Sequence, residues 1–443
     1  MRLFLETLGC PKNFNDSEGA AGIWEKAGMT VTDTLDEADV IMVNTCGFIN
    51  DAKRESIDKI FDMIRFAGEK EGEKPLLVVS GCLSQRYAAE LAEEMPEVDL
   101  FIGVNEYEKL PQLVSEAAGK RQTKVVTGTC PAAFEEFSAR KFEKGAYSST
   151  LRIAEGCNNR CAYCVIPQIR GGYRSRPIEA VADEAAKMAS AGVSEIILIA
   201  QDVTEYGRDI YGRLMLPELL LRLCAIEGIR WIRLMYCYED KITDELIEVM
   251  AEEKKICRYI DIPLQHVSDD VLKGMRRRST SKSIKNTIRR LREAVPDIHI
   301  RTTFITGFPG ETEEDFDKLA DFVEETCFER LGVFAYSREE GTEAGDREDQ
   351  IDEEIKTERA DCIMRMQVDI SRRINEDKVG RIMDVLVEGR DEDGAYIGRT
   401  EFDAPEIDGS VIFTSEKNDI RPGDFVKVEI RDAFDYDLTG VEV

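Results

Sequence analysis

Histidine is nearly missing from this chain: only His266 and His299 occur in 443 residues. The scarcity argues against a histidine-rich zinc site, and neither residue is near the cysteine-dense part of the sequence. A membrane span is missing too, because no apolar run approaches the length a bilayer requires. The opening Met1-Arg2-Leu3-Phe4-Leu5-Glu6 meets an acid at once and runs into a strand-like segment, so no signal peptide is expected. Positive charge is in deficit: 59 Lys and Arg face 88 Asp and Glu, a formal charge of −29. Such a surface repels nucleic-acid phosphates and favours a basic partner, although a salt-adapted or acid-rich proteome gives the same balance. The 12 cysteines are scattered along a long chain rather than framing a small secreted domain. They fit a reducing, cytoplasmic setting in which some thiols bind metal.

What is present is concentrated in one run, Glu155-Gly156-Cys157-Asn158-Asn159-Arg160-Cys161-Ala162-Tyr163-Cys164. The spacing is C-x3-C-x2-C, with an aromatic residue just before the last cysteine. Three thiolates this close can hold three corners of a cubane iron–sulfur cluster, and no fourth cysteine is at hand. Clusters that only carry electrons normally have four cysteine ligands. An iron left open suggests chemistry rather than electron storage. Zinc is the alternative, but zinc sites usually present paired C-x2-C units or histidines.

The rest of the chain reads as an α/β protein in three parts. Leu3–Leu8, Val40–Val43 and Leu76–Val79 are apolar strand candidates leading to Cys10, Cys46 and Cys82, at equal intervals of 36 residues. Helical stretches such as 16–27 and 52–66 lie between them. Continuous apolar strands alternating with helices predict an open parallel sheet covered on both faces. Loops after its strands share one edge, so the three cysteines should converge there and hold a second cluster. Residues 136–147 read as a linker after a first domain of 1–135. Six further strand candidates, 151–154, 195–200, 231–236, 259–263, 298–305 and 331–335, predict a partial (β/α)6 barrel within 148–375, ending in a helix to about Asn375. Its active site should gather at the strand ends, at Glu155, Gln201-Asp202, Tyr236, Gln265-His266, Thr306-Gly307 and Tyr336-Ser337. Short alternating runs at 382–387, 395–397, 411–413 and 425–430 predict a small five-stranded β-barrel over 376–443.

The cysteine run resembles the signature of the radical S-adenosylmethionine (SAM) superfamily, and the whole chain resembles the radical SAM methylthiotransferases. The matching text includes Leu8-Gly9-Cys10-Pro11-Lys12-Asn13, Asn44-Thr45-Cys46-Gly47-Phe48-Ile49, Gly81-Cys82-Leu83-Ser84-Gln85-Arg86-Tyr87 and Arg174-Ser175-Arg176-Pro177. It continues with Pro263-Leu264-Gln265-His266, Gly307-Phe308-Pro309-Gly310-Glu311-Thr312 and Asp403-Ala404-Pro405-Glu406-Ile407-Asp408-Gly409. The first and last of these pieces resemble the RimO-type branch, which modifies a ribosomal protein.

The resemblance implies a flavodoxin-like N-terminal domain, a radical SAM barrel and a C-terminal OB-like TRAM barrel. It makes Cys157, Cys161 and Cys164 ligands of a SAM-cleaving 4Fe-4S cluster and Cys10, Cys46 and Cys82 ligands of an auxiliary 4Fe-4S cluster. It further implies sulfur insertion and methylation at the β-carbon of an aspartate in small-subunit ribosomal protein twelve, free or in the ribosomal subunit, giving 3-methylthioaspartate. A small reductant protein would donate the electrons.

SAM contacts are expected from Gly307 and Gly310, whose loop lets backbone approach a nucleoside, and from Tyr163 and Gln201. A packing role for Tyr163 and an ordinary tight turn at Gly307 stay open. Arg170, Arg174 and Arg176 either grip a carboxylate of SAM or substrate, or are surface charges offsetting nearby acids. His266 and the six remaining cysteines read as structural.

The sister branch, which methylthiolates an adenosine in tRNA, is the alternative. A non-enzymatic iron–sulfur carrier or sensor is a more distant one. Residues 376–443 carry 19 Asp and Glu against 8 Lys and Arg, net −11. An acidic barrel suits a basic protein better than RNA, so nucleic-acid binding is not expected outside a ribosome context.

Overall fold

The computed structural model describes residues 1–119, 123–143, 145–417 and 419–443. Its described residues form two compact units. One comprises Met1–Lys144, Ala154–Arg176 and Glu339–Thr342; the other comprises Gly145–Ile153, Pro177–Arg338 and Glu343–Val443.

In the first unit, six parallel strands are β1 (Arg2–Thr7), β2 (Thr30–Val31), β3 (Val40–Thr45), β4 (Leu76–Ser80), β5 (Leu100–Ile102) and β6 (Lys124–Val126). They are ordered β2-β1-β3-β4-β5-β6, which is the flavodoxin order with one strand added. Alternate residues serve two cores. Ile41, Val43, Leu77, Val79 and Phe101 pack on one face, and Val40, Met42, Leu76, Val78, Leu100 and Ile102 on the other. That double burial explains the unbroken apolar runs. Helices α1 (Pro11–Lys26), α2 (Asn50–Glu69) and α3 (Gly81–Glu94) follow the three cysteine-bearing strand ends. Proline as the first residue of α1 supplies a fixed φ where no backbone N–H is needed.

The described residues of the expected linker form no regular element, and its first part is tied to this unit. Phe137 packs beside Tyr107, and Arg140 pairs with Glu18 at 2.6 Å. Lys144 lies outside the described residues. A two-stranded pair, β8 (Ala154–Glu155) and β9 (Arg174–Ser175), brackets the cysteine run.

The second unit holds β7 (Ser148–Arg152), β10 (Glu195–Ile199), β11 (Trp231–Leu234), β12 (Ile256–Gln265), β13 (His299–Thr306) and β14 (Arg330–Ala335). These parallel strands are ordered β14-β13-β12-β11-β10-β7, an open barrel of six. The long helix Glu353–Glu376 leads into a closed five-stranded barrel of β15 (Ile382–Arg390), β16 (Tyr396–Thr400), β17 (Val411–Thr414), β18 (Phe425–Ala433) and β19 (Leu438–Glu442). All its pairings are antiparallel except β17 with β19.

Candidate functional site

Cys10, Cys46 and Cys82 meet at the C-terminal edge of the first sheet. Cys10 is the N-cap residue of α1, and Cys82 is the second residue of α3. Helix N-termini favour a thiolate. A Cβ on Gly9 would fall 2.7 Å from Cβ of Cys46, so the first two loops touch. Ser56 fixes the Cys46 peptide by accepting from its N–H and donating to its carbonyl, both at 3.0 Å. Burial pushes the Cys46 thiol up to about 11, with the neighbouring Cys10 and Cys82 thiols adding to the rise. Burial also raises Cys82, and Arg170 opposes that rise.

The second triad shares this unit. After β8 the chain turns at Gly156, where a Cβ would sit 2.1 Å from the Gly172 carbonyl oxygen. Cys157 N–H donates to the Gly171 carbonyl at 3.1 Å, and Cys164 N–H to the Cys161 carbonyl at 3.1 Å. Burial raises the Cys164 thiol, and Cys161 and Cys157 raise it further. Cys82 packs with Val104, Val165 and Ile169, the last two just beyond Cys164 in sequence. None of the 12 cysteines, all among the described residues, forms a disulfide. Among the described residues, no three His, Cys, Asp or Glu side chains are grouped tightly enough to hold one metal ion. A cubane places its thiolates on separate irons, and the donor set of each triad, three thiols that act electrostatically on one another, suits such a cluster.

The three arginines of the expected basic loop are all buried, which corrects the surface-charge reading. Arg170 Nη1 donates to Asp16 Oδ2 at 2.8 Å and to Glu155 Oε2 at 3.4 Å. Its Nη2 donates to Asn13 Oδ1 at 3.0 Å and to Cys82 Sγ at 3.3 Å. Arg174 Nη1 donates to the main-chain carbonyls of Arg170 and Gly172, at 3.1 and 2.8 Å. Arg176 pairs with Glu136 at 2.6 Å. Neighbouring protein groups hold all three. Tyr163 is half-buried within the cysteine run.

In the second unit, Gln201 follows β10 and is also half-buried. Gly307 and Gly310 have left-handed backbones with φ of +69° and +81°. Their missing side chains make room for Lys356 and for Arg347 with Asp349, respectively. Gly307 N–H donates to Glu311 Oε2 at 2.9 Å, and His266 Nε2 lies 3.5 Å from the same oxygen. Both glycines therefore pack directly against neighbouring protein groups.

A charged layer that the strand pattern did not reveal closes one end of the open barrel. Glu195 accepts from Arg399 Nη1 at 2.8 Å, Arg233 Nε at 3.1 Å and Ser148 Oγ at 2.7 Å. Burial raises the Glu195 carboxyl, but Arg399 and Arg233 outweigh it and hold the group at about 2. Asp403 accepts from Arg330 Nε at 3.2 Å, and Asp408 from the Tyr259 hydroxyl at 2.7 Å. The Phe402 ring stacks on His299 at 4.2 Å. The segment 399–408, which contains most of the Asp-Ala-Pro-Glu-Ile-Asp-Gly text, is therefore the floor of the barrel. Charged residues inside the otherwise apolar strands at 195, 233 and 330, with acids and arginine at 399–408, were the available signal.

The open six-strand barrel and the two thiol triads define a radical SAM enzyme. Family models agree region by region: residues 151–323 match the Radical SAM superfamily, 2–103 match Uncharacterized protein family UPF0004, and 379–443 match a TRAM domain. Among solved structures, the radical SAM methyltransferase TsrM from Kitasatospora setae, with cobalamin and a [4Fe-4S] cluster bound, superposes with a TM-score of 0.58 at 15% identity. That match covers 78% of this chain and 74% of TsrM, and it supports the fold. Two curated relatives extend over essentially the whole length. The ribosomal protein uS12 methylthiotransferase RimO of Lachnoclostridium phytofermentans is 47% identical, covering 99% of each chain. That of Clostridioides difficile is 46% identical, covering 99% of this chain and 98% of its own. The chain belongs to the RimO family of radical SAM methylthiotransferases.

Proposed function

We propose that this enzyme inserts sulfur and a methyl group at the β-carbon of an aspartate in ribosomal protein uS12, giving 3-methylthioaspartate. The observation that carries the reading is the presence of two separate thiol triads in one compact unit, in a chain 47% identical to a RimO over 441 residues. Cys157, Cys161 and Cys164 would hold the SAM-cleaving cluster, and Cys10, Cys46 and Cys82 the auxiliary one. Bound there, the clusters and SAM would supply a carbon-centred radical for hydrogen abstraction, a sulfur atom and a methyl group.

The chain's own residues bind and orient. Gly156 and the Gly171 carbonyl set the direction of Cys157, Ser56 fixes the Cys46 peptide, and the α1 and α3 N-termini face thiolates. Tyr163 and Gln201 are assigned to SAM, with Arg174 holding the β8–β9 turn and Gly307 and Gly310 shaping the loop after β13. A protein that binds ribosomal RNA is basic, so the formal charge of −29 supports attraction between enzyme and substrate. A small reductant protein would be the electron donor, and the enzyme would work in the cytoplasm. No helix among the described residues is long and apolar enough to cross a membrane.

The test uses anaerobically reconstituted protein with SAM, reductant, sulfide and uS12. Wild type is expected to cleave SAM and to leave a methylthio group on an aspartate. Cys157→Ala should reduce SAM cleavage to background. Cys46→Ala should still cleave SAM but give no methylthio product. A methylthio product from Cys46→Ala would overturn the auxiliary assignment.

A further inference from the structure

Arg170 is 2% exposed and sits among groups drawn from three other stretches of the chain. Its Nη1 is directed by two carboxylates, Asp16 and Glu155, themselves 1% and 6% exposed. A guanidinium is a rigid planar fork, so fixing one arm aims the other. The second arm points at Asn13 Oδ1 and at Cys82 Sγ, 3.3 Å away. A purely structural ion pair would need only a carboxylate, and burying one confers little net stability by itself. The contact with sulfur is the feature such a pair leaves unexplained.

We propose that Arg170 is a positioning residue of the auxiliary cluster, donating a hydrogen bond to the Cys82 sulfur and fixing it relative to the strand that leads into Cys157. An N–H donor on a ligating sulfur withdraws electron density and stabilises the reduced cluster, raising its reduction potential. Glu155 stands two residues before Cys157, so the same guanidinium joins the ligand loop of one triad to the entry of the other. The inference rests on the assignment of Cys10, Cys46 and Cys82 as cluster ligands.

The test isolates the auxiliary cluster in full-length protein in which Cys157, Cys161 and Cys164 are all replaced by Ala. Its midpoint potential is measured by EPR-monitored redox titration, with iron counted per chain. Arg170→Gln in this background is expected to keep the iron and shift the midpoint to a more negative potential. Arg170→Lys keeps the charge but loses the fork, so its shift should be smaller and of the same sign. Because Arg170→Gln leaves buried carboxylates uncompensated, the double variant Asp16→Asn/Arg170→Gln is titrated beside it and should shift in the same direction. A parent that binds a cluster whose midpoint is unmoved by all three variants would overturn the role of Arg170. A parent that binds no iron would instead overturn the auxiliary assignment on which the role rests.

Discussion

Gly156 shows how one residue can control a metal-binding loop. Its φ is +81°, and an added methyl would meet the Gly172 carbonyl at 2.1 Å. Gly156→Ala is expected to part the β8–β9 pair and with it the Cys157–Gly171 bond. Iron in the reconstituted protein should fall from about eight per chain towards about four, with apo-protein stability reduced by about 1–3 kcal/mol. Full iron retention, by colorimetric assay, would show that the turn does not position Cys157. At this scale the sequence was most informative about the thiols, because C-x3-C-x2-C is a local spacing and the 36-residue interval of the other triad repeats a strand–helix unit. Arg170 was legible as a cation but not as a partner of Cys82. Its acid Asp16 lies 154 residues away, and only the sheet edge brings the two together. For Arg174 the sequence left a carboxylate grip and a surface charge both open, because main-chain carbonyls as partners leave no mark in a sequence.

The element that most changes the picture is the segment 399–408. It puts Arg399 against Glu195, and Asp403 against Arg330, with all four side chains buried. Removing one partner of a buried pair costs about 3–5 kcal/mol, because the other charge is left stranded. Glu195 keeps Arg233 and Ser148 when Arg399 is lost, so Arg399→Met should destabilise the barrel unit by less than that, about 1–3 kcal/mol in urea denaturation, and a loss below about 1 kcal/mol would contradict the floor.

The same layer predicts an acid dependence. The folded Glu195 carboxyl is held at about 2, against an ordinary value of 4.5, and Arg330 beside Asp403 overcomes burial to lower that carboxyl too. A lowered carboxylate contributes stability above its unfolded pKa and loses it as pH falls towards the folded one. Apo protein should thus lose stability steadily below pH 4.5, and Glu195→Gln should flatten that decline. An identical decline in wild type and variant would remove Glu195 from the account. Strand periodicity revealed the long elements, but the two- and three-residue strands β2, β5 and β6 are too short to show a pattern. β19 was missed because Gly440 interrupts its apolar alternation; a Cβ there would fall 2.5 Å from the Glu429 carbonyl oxygen.

Across the whole molecule, the order of parts was readable because each part has its own period: long apolar strands with helices, then repeated strand–helix units, then short alternating strands. The grouping of those parts was not. The cysteine run joins the N-terminal sheet in one compact unit, while the open barrel and the C-terminal barrel form the other. Contacts between distant segments decide that division, and no local pattern encodes them. Acidity also belongs to this scale, since net −11 over residues 376–443 acts as a field rather than a contact. The most direct measurement offers the reconstituted enzyme uS12 and unmodified tRNA in parallel, with SAM, reductant and sulfide, and reads both by mass spectrometry. The expected result is a methylthio group on an aspartate of uS12 and none on tRNA. A methylthio group on a tRNA adenosine, with uS12 unchanged, would contradict it.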